Sequence, residues 1–250
     1  MEAIIKEAEI REIYRDADTL TKGILKRIFG QDVFNQRRLL GVWCVNDAGV
    51  CSGNIRHELI PFDGWDTEKH TRPECVAVIT EDTAFLIGLH NTVVAQWGQK
   101  SNSTKLITDI ESLDSKAATD AIIEASRGLI YHDPDGDDEC DFVGSPAADF
   151  CRKYETAGIG PGKWDLPTVQ QLKIMHKYSK EINRCLMAMG FPTLVMGWYW
   201  SSIAVEGNDW CAWFVYLFNG YTCNYYRIDT IRAGGLRFSE FMLNRLARRA

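Results

Sequence analysis

The amino-acid sequence predicts an α+β fold preceded by a helical N-terminal segment, residues 1–34, and three patterns predict it. Apolar side chains recur at helical spacing near the N-terminus. Residues that start and stop helices bracket three further segments between 114 and 190. Short apolar runs that alternate with polar residues lie before those helices and return after residue 198. Alternation at every second residue belongs to strands, whereas a repeat of about 3.6 belongs to helices.

In order from the N-terminus, Ile5, Ala8, Ile13, Ala17, Leu20, Ile24, Leu25 and Ile28 stand mostly three or four residues apart, and Gly30 sits where such a helix would stop. Residues 2–29 are therefore expected to form one long helix or two short ones. Ile10 falls off the stripe, which favours a helix packed on its own domain over an oligomerising stalk. Homo-oligomers assembled through this segment remain the alternative, and avidity would then multiply weak single contacts ~100-fold or more.

After Gln36 the runs LLGVWCV, CVAVIT and TAFLIGL read as strands, with turns at Asn46–Gly49 and at the polar pair Glu81 and Asp82. The polar stretch Pro61–Pro73 reads as a long loop, the place where a one-domain account is weakest. Lys116–Ala125 behind Asp114 or Ser115, closed by Gly128, reads as a helix. A second starts at Ser145 with Pro146 in its first turn and ends before Gly158. A third starts at Thr168, whose spacing to Gln171 is that of a capping box, and runs with interruption to Met189 before Gly190. From Trp198 onward alternation returns, with Trp213, Val215 and Leu217 on one side and Phe214, Tyr216 and Phe218 on the other; this sheet ends in GGLRF.

Composition excludes several function classes. The 250 residues are 46 % hydrophobic, ample for a buried core. The net charge of -6, with no basic run before the C-terminal arginines, argues against a nucleic-acid surface, which needs clustered Lys and Arg. Arg245, Arg248 and Arg249 are assigned nothing. No stretch has the length of a membrane span, and the first residues mix acids and bases without the apolar core of a secretory signal. Synthesis in a cytoplasm without a signal peptide is therefore expected. The eight cysteines lack regular spacing, so reduced thiols are expected in place of a disulfide framework or a zinc knot.

Three fragments look chemical and do not hold up. GIGPGK at 158–163 lacks the earlier glycine and the following Ser or Thr of a phosphate-binding loop, Ala157 and Trp164 standing there instead. His57 and Glu58 open HELIP, which has no second histidine one helical turn on. The acidic stretch at 133–141, DPDGDDECD, has the oxygen ligands of a calcium loop without EF-hand spacing, and reads first as a solvated loop. No metal, cofactor or catalytic residue is assigned.

The constellation that carries weight is WDLPT at 164–168 opening a helix, WYWSS at 198–202, and RAGGLRF at 232–238. Together, in this order, they resemble the C-type-lectin-like fold of the formylglycine-generating-enzyme type, with CVAVITEDTAFLIGL similar to its opening hairpin. The core resemblance spans residues 75–238, and residues 35–250 are expected to form that domain. The segment from YWSS to RAGGLRF is similar to the variable proteins of diversity-generating retroelements of phages and bacteria, which diversify this stretch by mutating adenines, chiefly in Asn codons. Between Ile203 and Ile231 only Glu206, Trp210 and Trp213 fall outside the residue types reachable from an AAC codon by changing its adenines.

The resemblance implies a binding protein and not an enzyme, with residues 198–238 as its variable region and a protein or glycan on a cell surface as its ligand. The virion is then a further expected location. The segment has the makeup of a paratope, because tyrosines give contact area at small entropic cost and Asn and Asp give hydrogen bonds. The binding candidates are Ala204, Val205, Asn208, Asp209, Phe214, Tyr216, Tyr221, Cys223, Asn224, Tyr225, Tyr226, Ile228 and Asp229. Trp198, Trp200, Trp210, Trp213 and Phe218 are expected to build core. Two alternatives follow from the same resemblance: a formylglycine-generating-type enzyme using a late cysteine, and a fixed, metal-independent carbohydrate-binding lectin. Cys211 and Cys223 have no basic or His neighbour in sequence to activate a thiolate, and the EPN or QPD triplets of calcium-dependent lectins are absent.

Overall fold

A computed structural model describes residues 40–51, 54–80, 83–98, 105–132, 141–156, 158–228 and 230–238. The expected N-terminal helix, residues 133–140 of the acidic stretch, Asp229 and the C-terminal arginines lie outside the described residues.

The helices begin where their caps predict. Asp114 accepts a hydrogen bond from the Ala117 amide and opens α1 (Ser115–Ser126). Ser145 caps α2 (Pro146–Lys153), which has proline in its first turn. Thr168 and Gln171 form both halves of a capping box at the start of α3 (Val169–Lys177). Tyr178 is the interruption, and α4 (Ser179–Ala188) continues from it. Among the described residues, no helix is long and apolar enough to cross a membrane.

The strands are β1 (Gly41–Cys51), β2 (Asn54–Ile60), β3 (Pro73–Ile79), β4 (Ala84–Gln96), β5 (Ile130–Tyr131), β6 (Phe142–Val143), β7 (Trp198–Val205), β8 (Asn208–Tyr216), β9 (Tyr221–Tyr226) and β10 (Thr230–Phe238). Eight of them form one sheet in the order β2-β1-β3-β4-β10-β7-β8-β9, and β5 pairs with β6 apart from it. The class is thus α+β. The last strand returns to the middle of the sheet, antiparallel to β4 from Thr230↔Gln96 to Phe238↔Phe85. Its parallel seam with β7 is thin, with Arg232↔Tyr199 the pair in register.

The sheet is covered on both faces, so its central strands carry apolar residues without alternation. On one side α3 and α4 bring Leu172, Met175, Ile182 and Leu186 against Val76, Val78, Phe85, Ile87, Tyr199 and Val215. On the other, Ala147, Ala148 and Cys151 of α2 pack with Trp97, Trp200, Ala212 and Phe214. Further along that side, Ile159 and Trp164 close over Cys75, Ala77 and Leu86. Helix α1 straddles the two layers, Ala118 joining the first and Ile122 the second.

One expectation is corrected here. Asn46 and Asp47 do not turn the chain; they are buried inside β1. Asn46 Oδ1 accepts from the Arg72 amide at 3.1 Å, and Asp47 Oδ2 pairs with the Arg72 guanidinium at 2.6 Å. A polar pair that would suit a turn is instead satisfied by the far end of the 61–72 loop. The chain turns later and returns as β2, so His57 and Glu58 lie on a strand. The long polar loop is therefore not a break, because β1 before it pairs directly with β3 after it from Gly41↔Ile79 onward.

The GIGPGK loop is held by a carboxylate. Glu74 on β3 is fully buried, and its oxygens accept from the Thr156 hydroxyl and the Gly158 amide. The amide that a phosphate loop would offer to a ligand is thereby used.

The turn before α3 holds a second buried acid. Asp165 lies 2.9 Å from Arg152 Nη2, and Arg152 also reaches Asp120. Burial pushes the Asp165 carboxyl up from 3.8 to about 6, against the pull of Arg152. A carboxyl whose folded pKa is raised stabilises the fold at pH below about 4, and that contribution is lost as pH rises through about 6. Relative to Asp165→Asn, the wild-type protein should therefore lose up to ~3 kcal/mol between pH 4 and 6.5 in urea denaturation. Parallel stability curves for the two proteins would show that the acid is not strained by burial.

Candidate ligand-binding face

The register of the last three sequential strands sets this face. Trp198 on β7 lies opposite Tyr216 on β8, which lies opposite Tyr221 on β9. One step along, Trp200, Phe214 and Cys223 form the next row, and beyond it Ala212 faces Tyr225. Residues two apart on a strand share a face, so all of these side chains point to the same side of the sheet. The rings touch. Trp198 stacks on Tyr216 with centroids 4.3 Å apart and meets Phe214 edge-on at 4.8 Å. Phe214 meets Tyr225 edge-on at 6.4 Å, and Tyr216 meets Phe218 at 5.9 Å.

Cover divides this surface into floor and display. Trp200, Ala212 and Phe214 are buried in the layer that also holds Trp97, Ile122 of α1 and Ala147 of α2. That layer does not extend over the ends of the strands. Trp198 is 41 % exposed, Tyr225 49 %, Tyr221 55 % and Phe218 68 %. Among the described residues, this display carries no carboxylate, imidazole or amine, so its chemistry is stacking, apolar contact and phenol hydrogen bonding. The Cys223 thiol bears on Tyr221 and holds its phenol above the usual tyrosine range, hence neutral.

Of the nominated residues, the structure brings Tyr216, Tyr221, Cys223 and Tyr225 together on this face. Val205, Asn208 and Asp209 lie around the β7–β8 turn, where Asn208 Oδ1 accepts from the Trp210 amide at 2.9 Å. Asn224 and Tyr226 point to the opposite face, beside Trp213 and Cys211 of β8. Ile228 is half-buried past the end of β9. Two nominations are corrected: Ala204 and Phe214 are buried, Ala204 under the loop whose Ile107 carbonyl accepts its amide. Both belong to the packed layer beside the exposed rings.

The expected core tryptophans also divide. Trp200 is fully buried and Trp213 packs against the helical layer, but Trp198, Trp210 and Phe218 are exposed. The missed signal lay in the alternation itself, because Phe218 continues the side that holds Tyr216 and, among the described residues, stays uncovered.

The β8–β9 turn is held from below. The His176 imidazole of α3 donates from Nδ1 to the Leu217 carbonyl at 2.7 Å. Gly220 has φ +73°, and a Cβ there would stand 2.7 Å from His176 Cδ2. Gly128 also has a positive φ but opens on free space. Gly128→Ala should therefore cost only the left-handed backbone term, about 1–2 kcal/mol. Gly220→Ala should cost about 1–3 kcal/mol more, because the imidazole must shift and loosen the Leu217 bond. Equal losses in chemical denaturation would show that the turn does not depend on this packing.

Neither a protein-family model nor a curated protein matches this chain.

Proposed function

We propose that the chain is a ligand-binding protein on a C-type-lectin-like scaffold. Residues 198–238 serve as a diversified surface of the kind carried by the variable proteins of diversity-generating retroelements in phages and bacteria, and the ligand is a protein or glycan on a cell surface. The observation that carries the reading is the contiguous, half-exposed aromatic display of Trp198, Tyr216, Phe218, Tyr221 and Tyr225 inside that segment. Monomeric proteins seldom leave so many large rings together in water without a partner for them. Rings with one free side and a phenol at the tip suit pyranose faces and polar protein surfaces alike.

The scaffold supports the same reading. Leu166 and Trp164 of WDLPT are buried, and the capped α3 begins directly after them. Tyr199, Trp200, Ser201 and Ser202 of WYWSS are buried as well. Diversification would then change turn and rim residues such as Asn208, Asp209 and Tyr225 while the buried WYWSS residues keep the strand in place. The test is genomic and biochemical. The DNA beside the gene should hold a near-copy of codons 198–238 that differs only at adenines, next to a reverse transcriptase. On arrays of cell-surface glycans and proteins, the purified chain should bind a defined subset. Absence of the near-copy would remove the retroelement reading, and an empty array would remove the ligand classes named.

A further inference from the structure

The sheet ends at β9, and this edge is unlike the other. Strand β2, the opposite edge, carries Arg56 and Glu58. Strand β9 reads Tyr-Thr-Cys-Asn-Tyr-Tyr, with no charge and no proline. Proteins commonly protect an exposed edge with charge, proline or a bulge, because its unpaired backbone groups accept another strand. The register of β9 against β8 is unbroken from Cys211↔Tyr226 to Tyr216↔Tyr221.

The backbone of β9 also specifies what can pair with it. The Arg227 amide donates to the Trp210 carbonyl at 2.9 Å, so that pair is hydrogen-bonded. Hydrogen-bonded and non-bonded pairs alternate along an antiparallel ladder. Tyr225, Cys223 and Tyr221 therefore turn their backbone groups inward to β8, and Thr222, Asn224 and Tyr226 turn theirs out. Among the described residues, the outward groups meet only the Cys223 thiol, which approaches the Asn224 carbonyl at 3.6 Å.

We infer that β9 pairs antiparallel with β9 of a second copy about a two-fold axis at Asn224. Three outward residues centred on Asn224 make the edge self-complementary. Thr222 of each copy faces Tyr226 of the other, Asn224 faces Asn224, and every outward N–H meets a carbonyl. No like charges are opposed, because the strand has none. Residues directly opposite share a face, so Cys223 of one copy lies beside Tyr225 of the other and the two aromatic displays join. An isologous contact of this kind closes at two copies. An edge of six residues covers less than the about 1,200–2,000 Å² of a standard interface, so the dimer is reversible. This pairing stands whatever the aromatic face binds.

Sedimentation velocity of the full chain over a concentration series tests it. The wild-type protein should shift from monomer to dimer. Asn224→Pro removes one outward N–H and no bond to β8, and Asn224→Lys sets two ammonium groups face to face. Each should weaken the dimer at least ~10-fold with an unchanged circular-dichroism spectrum. As a second reading, Asn224→Cys should cross-link to a covalent dimer under a mild disulfide oxidant, since paired Cα atoms there would lie about 5.5 Å apart. Glu206→Cys at the exposed β7–β8 turn should not. A wild-type monomer at all concentrations, a dimer unaffected by both Asn224 variants, or cross-linking no greater than that of Glu206→Cys would each overturn the proposal.

Discussion

Trp200→Ala should destabilise the protein by about 3–5 kcal/mol, the range for emptying a buried aromatic site. Its effect should fall on the seam between the two halves of the sheet. Strand β10 meets β7 in register at Arg232↔Tyr199, so the backbone ladder alone joins the halves weakly. Two indoles cross the seam in opposite directions. Trp200 Nε1 on β7 donates to the Ala95 carbonyl of β4 at 3.0 Å, and Trp97 Nε1 after β4 donates to the Ser201 carbonyl of β7 at 2.6 Å. Both rings are buried, and the Arg227 guanidinium lies 4.6 Å over Trp97.

Removing Trp200 leaves a cavity and takes the indole donor from the Ala95 carbonyl. Trp97→Phe keeps most of the ring but deprives the Ser201 carbonyl of its donor, which should cost about 1–3 kcal/mol. Because the two indoles brace one seam, the double variant should lose less than the sum of the single losses. Urea denaturation of the four proteins measures all three quantities. A Trp200→Ala loss below about 1 kcal/mol would mean that the seam is held elsewhere.

What could be read from the sequence is what short-range chemistry determines. Asp114, Ser145 and the Thr168 and Gln171 box lie within three residues of the amides they cap, so the helix starts are visible locally. The strand period after residue 198 is equally local. What was not legible depends on partners far along the chain. Asn46 and Asp47 look like a turn until Arg72 is placed beside them. The return of β10 to the middle of the sheet depends on the pairing of Phe238 with Phe85, which no local pattern encodes. The face shows the same division. Alternation correctly separates Phe214 and Tyr216 from Trp213 and Val215, but which of them is covered is decided by how far the packed layer over that face reaches. Residue type therefore misled for Ala204 and Phe214 in one direction and for Trp198, Trp210 and Phe218 in the other.

That difference in cover separates binding from stability, and the variants of the aromatic display should show it. Trp198→Ala, Tyr221→Ala and Tyr225→Ala each remove a ring that is roughly half in water, so stability should fall by about 1–2 kcal/mol, with Trp198, which has two ring contacts, at the upper end. Binding to the array ligand should fall much further. A central aromatic anchor is commonly worth at least ~2 kcal/mol, or ~30-fold in Kd, and Tyr221 and Tyr225 flank the same half-buried Cys223. Phe214→Ala should show the reverse order, with a loss of about 3–5 kcal/mol in stability and weaker binding only because the floor beneath Trp198 and Tyr225 has gone. Phe62→Ala is the control, a similarly exposed ring outside the face that lies near Arg184; its stability loss should match those of the display variants while binding stays unchanged. Titration calorimetry beside thermal melts distinguishes the cases. If the three display variants bind as the wild type does, the exposed rings are not the contact surface, and the β7–β8 turn with Asn208 and Asp209 becomes the place where the ligand must sit.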